Sequence, residues 1–167
     1  MRKAFLIIII LFTAAASYGQ SYSFNAQNDG SLTVLPVVFM SLTTTGGVPS
    51  FTTESHYDNG ITNTSYASIW VKANLPWVIS VKAQTANFTP MSTGAASNMP
   101  CSVLKLKKST AANYITLTTS AQTLTNGPLG NNLVSGNTFN VAMQFTPGWG
   151  YPGGQYRMNV IYTAAQQ

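Results

Sequence analysis

The chain has 167 residues, of which eight are Lys or Arg, three are Asp or Glu and one is His. So few acids and a single His leave most hydrolytic mechanisms short of parts. The bases are too few and too lysine-rich for a nucleic-acid surface, and a lone cysteine, Cys101, excludes an internal disulfide.

In chain order, Arg2 and Lys3 precede an apolar run from Ala4 to Phe12 and then small residues, ending near Gly19 and Gln20. That layout predicts a signal peptide over residues 1–19. The run is too short for a bilayer core, which takes about 20 residues, so no transmembrane anchor is expected in the mature form, residues 20–167. Removing Arg2 and Lys3 leaves six bases against three acids, a net charge of +3. The polar surface is instead Thr, Ser and Asn, residues that suit pleated surfaces and turns.

Strand signals then follow one another. After Asp29-Gly30, "SLTVL" (31–35) alternates, and "VVFMSL" (37–42) follows Pro36, which argues against one central strand over 31–42. "YASIWVKA" (66–73) puts Ala67, Ile69, Val71 and Ala73 on one face. "WVISVKA" (77–83) does the same with Trp77, Ile79, Val81 and Ala83, and the short "NLP" between them predicts a hairpin. "CSVLKLKK" (101–108) and "YITLTTS" (114–120) come next, and Asn126-Gly127-Pro128 breaks the chain. "TFNVAMQFT" (138–146) and a closing strand over 155–163, read as an internal component of the sandwich with Tyr156, Met158, Val160 and Tyr162 facing the core, complete the series. Longer connections are expected at 43–64, 85–100 and 120–137. Seven or eight half-apolar strands predict an all-β fold, an immunoglobulin-like two-sheet β-sandwich of mostly antiparallel strands, with a barrel as the alternative.

Two stretches carry candidate chemistry. In "TESHYDNG", Glu54, His56 and Asp58 would share a face of a strand, as divalent-metal ligands do. The plainer reading is a mobile, wet loop running into Asp58-Asn59-Gly60. In "TPGWGYPGG", Trp149 and Tyr151 stand among glycines and prolines. They would either bind a ligand such as a glycan or fold back to cap one end of the sandwich. Trp77 reads as core, and Cys101 as a small residue at a strand start.

"NLPWVISVKA", "PCSVLKL", "YITLTTSAQTL" and "PGGQYRMNVIYTA" resemble secreted bacterial surface β-domains: spore coat protein U-like and WxL-like domains and, more distantly, fimbrial subunits. The match at the end runs from Gly154-Gln155-Tyr156 to Thr163. The resemblance implies a surface or filament-associated role and no catalytic residue. Spore coat protein U-like domains also carry paired cysteines near the first strand, and this chain has none.

The expected product is therefore a non-enzymatic, secreted structural or adhesive protein of the cell surface, outer milieu or periplasm, needing no cofactor. Its expected partner is itself or another cell-envelope component. The alternative is a carbohydrate-binding module working through its loop aromatics.

Overall fold

The structure, a computed structural model, describes residues 31–167. The predicted signal peptide and its cleavage point lie outside the described residues. Among those described, the strands are β1 (Val38–Thr44), β2 (Ile61–Ala73), β3 (Trp77–Ala83), β4 (Thr89–Pro90), β5 (Leu104–Lys108), β6 (Ile115–Thr116), β7 (Gln122–Gly127), β8 (Thr138–Phe145), β9 (Tyr156–Arg157) and β10 (Val160–Gln166). One six-residue helix, α1 (Glu54–Asn59), precedes β2. The order β1-β2-β8-β5-β6 makes one sheet, β10-β3-β7 a second and β4-β9 a small third. Every pairing is antiparallel. The fold is an all-β sandwich, as the strand pattern requires.

Alternation drives the two main sheets together. β2 contributes Ala67, Ile69, Val71 and Ala73 to the core, and β3 contributes Trp77, Ile79, Val81 and Ala83. β8 adds Phe139, Val141 and Met143, β5 adds Leu104 and Leu106, and β7 adds Leu124. The Trp77 indole stacks on Phe139 with ring centres 6.3 Å apart, joining the sheets. Its Nε1 donates to Asn137 Oδ1 at 3.0 Å, and Asn137 Nδ2 donates to the Asn131 carbonyl at 2.9 Å. Asn137 is fully buried, so these bonds answer its polar atoms where no water reaches.

Several sequence expectations are corrected. Residues 31–37 form no strand, and Leu32 is 87 % exposed. β2 and β3 are not a hairpin: they lie in different sheets. Both present a full apolar face, and facing each other across the core buries both at once. Asn74 holds this corner by accepting from Val37 N–H at 2.7 Å and donating to the Leu35 carbonyl at 2.7 Å. The expected strand at 114–120 also changes sheet. Leu117 N–H donates to Leu104 O in the first sheet, and Thr118 O accepts from Ala83 N–H in the second. Within the expected long connection 120–137 lies β7. Its terminal Gly127 pairs with Trp77, and a Cβ there would overlap the indole ring. The closing strand divides into β9 and β10 at Met158–Asn159; Tyr156, Met158, Val160 and Tyr162 pack partly buried against the core, as expected, and β10 is an edge strand among the described residues. Cys101 stands in a 3-10 turn before β5, buried, with Sγ 3.4 Å from the Leu117 carbonyl. Burial keeps that thiol from a partner chain.

Candidate functional site

Glu54–Asn59 forms helix α1 because both of its ends are capped, by Thr53 and Gly60. The Thr53 hydroxyl accepts from His56 N–H at 3.3 Å. Gly60 closes the helix with φ 77°, a left-handed value that glycine adopts without strain. This corrects both the mobile-loop and the strand reading of the Glu54, His56, Asp58 run. On a helix Glu54 and Asp58 share a face, while His56 is turned well away. His56 Nδ1 accepts from Thr52 N–H at 3.3 Å, and its ring stands edge-on to Phe51 with centres 6.3 Å apart. Among the described residues no three His, Cys, Asp or Glu side chains are grouped as metal ligands.

The helix instead supports the second stretch. Trp149 stacks on Tyr57 with centres 4.5 Å apart and planes inclined by 22°. Its Nε1 donates to Asp58 Oδ1 at 2.8 Å. Tyr57 is held from behind by Phe51, at 5.6 Å, and its hydroxyl donates to the Phe51 carbonyl at 3.2 Å. The two expected roles of the loop aromatics are divided between them. Tyr151 is half-buried and packs against the core, whereas Trp149 is 66 % exposed and caps nothing. The sequence singled out both stretches but not their meeting, and it missed Tyr57. The only local signal was an aromatic inside an otherwise polar run.

A second feature lies along one side of the sandwich, where β1 and β10 face each other. The register puts Val38, Met40, Leu42 and Thr44 of β1 on the same face as the buried side chains of β2. It likewise puts Val160, Tyr162 and Ala164 of β10 beside the buried side chains of β3. These inward residues are nevertheless half-buried or exposed, so the apolar layer is open along this side. A cleft of about 1210 Å³ enters there, lined by Leu42, Met91, Met143, Phe145, Val160 and Tyr162 among others. Tyr57 and Tyr151 border it too. The Tyr162 hydroxyl is buried and has no hydrogen-bond partner among the described residues. Burial, and then its neighbour Tyr66, push its ionisation far above the ordinary phenol range.

The lysines sit elsewhere. Lys107 Nζ lies 4.7 Å from the centre of the Tyr114 ring and Lys108 Nζ 5.2 Å from that of Phe139. Lys72 Nζ covers Trp70 at 5.1 Å, which leaves that indole half-buried. No family model matches the chain, and no curated protein matches it in sequence.

Proposed function

We propose that the protein is a secreted, non-enzymatic structural or adhesive component of the cell exterior. It works by pairing an exposed sheet edge with a second copy of itself or with another envelope protein. One observation carries this reading: β1 and β10 are seven-residue edge strands of the described chain, and neither contains a charged residue or a proline. Strand edges invite pairing through their outward backbone groups, and charge or proline is the usual protection. The lysines of 105–108 give no such protection to these edges, because β5 lies between β8 and β6. Phe39, on the outer face of β1, is 61 % exposed and adds apolar area beside the edge. The N-terminal layout of residues 1–19 supports export, and the engagement of His56 with Thr52 and Phe51 supports a non-catalytic role.

Light scattering and electron microscopy of the purified protein test this. Thr43→Lys on β1 and Thr163→Lys on β10 place a charge at each edge on an exposed position. The wild type should self-associate, or retrieve an envelope protein, and the paired variant should do neither while melting at the same temperature. A wild type that stays monomeric and retrieves nothing would overturn the reading.

A further inference from the structure

We propose that Trp149, Tyr57 and Asp58 form a glycan-binding platform for a neutral pyranose with equatorial hydroxyls. A large indole is held in the open here. Trp149 is 66 % exposed, yet two contacts fix its orientation: the stack on Tyr57 at 4.5 Å and the 2.8 Å bond to Asp58. Tyr57 covers one face of the ring, and the exposed area leaves the other for a ligand. A ring already fixed loses little freedom on binding. Access is open as well, since a Cβ built on either flanking glycine, Gly148 or Gly150, would meet nothing within 4 Å.

The ligand class follows from the two surfaces that meet here. The face of an indole is electron-rich and attracts polarised C–H groups. A pyranose with equatorial hydroxyls presents an axial C–H face to such a ring and a rim of hydroxyl donors around it. Carboxylates accept strong, charge-assisted bonds from such donors. Glu54 and Asp58 are the only acidic residues after Asp29; Asp58 bonds Trp149, and Glu54 stands one helical turn before it on the same face. Asp58 Oδ1 takes the indole N–H, and Oδ2 is left for a sugar hydroxyl. The same two carboxylates repel uronic or sulfated glycans, so the site selects neutral ones.

Calorimetry and indole fluorescence with cellohexaose and chitohexaose test the proposal on the purified protein. At least one sugar should bind saturably with a change in indole emission, and polygalacturonate should not bind. Trp149→Ala should weaken binding at least tenfold with an unchanged melting temperature, and Trp149→Phe should weaken it less. Asp58→Asn, which keeps an acceptor for the indole N–H but removes the charge, should weaken binding several-fold. The proposal is overturned if neither sugar binds, if Trp149→Ala binds as the wild type does, or if tetramethylammonium takes the site in place of sugar.

Discussion

Replacing Asn137 by Ala removes the acceptor of the Trp77 indole N–H and the donor to the Asn131 carbonyl. Trp77 is fully buried, so its N–H cannot turn to water. Leaving a buried donor unpaired costs about 1–3 kcal/mol, and losing the second hydrogen bond costs about 1 kcal/mol more. A total of about 3 kcal/mol is expected. For the body Leu35–Gln167, an unfolding entropy of about 0.28 kcal/mol/K follows from its length, so the melting temperature should fall by roughly 11 °C. Scanning calorimetry of Asn137→Ala, Trp77→Phe and the double variant measures this. In the Trp77→Phe background the orphaned donor is gone, so Asn137→Ala should cost about 1–2 kcal/mol less there. Equal cost in both backgrounds, or a fall of less than about 3 °C in the single variant, would refute the claim that this bond ties the two sheets together.

Tyr162→Phe should stabilise the protein by about 1 kcal/mol at neutral pH, because it removes a buried hydroxyl that bonds to no described residue; chemical denaturation reads this. The phenol ionises far higher in the folded chain than in the unfolded one, where it titrates near pH 10. Wild-type stability should therefore fall as pH rises above about 10, where the unfolded chain alone releases the proton. The fall should be shallower in Tyr162→Phe, and equal slopes would count against the burial. Gly127→Ala should cost roughly 2–3 kcal/mol by forcing a methyl group onto the Trp77 indole, with a matching change in near-ultraviolet circular dichroism.

The strands that the sequence exposes most clearly are those with four apolar residues on one face, β2, β3 and β8. Alternation says that such a face is buried but not which sheet holds it, so the turn at Asn74–Pro76 reads as a hairpin when it is a passage between sheets. β7 escapes for the opposite reason. Its Thr- and Asn-rich run has one buried side chain, Leu124, and its Gly127 resembles a chain break rather than a seat for an indole. Helix α1 is too short to show a period of 3.6 residues, and its caps at Thr53 and Gly60 are the only local cue. Trp149 could be noticed as an aromatic among glycines. That it rests on Tyr57 is a consequence of tertiary packing, and no spacing along the chain encodes it.

The strand pairing also bears on when the protein can fold. Except for β1 with β2 and β5 with β6, no two successive strands of the main sheets are neighbours. β2 must find β8, and β3 must find β10, across most of the chain. Such distant pairings close slowly, on a scale of milliseconds to seconds. A nascent chain that has not yet reached Gln166 cannot complete the second sheet, because β10 supplies one of its three strands. The five strands of the first sheet are all made by Phe145, but the core between the two sheets can close fully only after β10 has been made, so the last strand sets when the sandwich is complete.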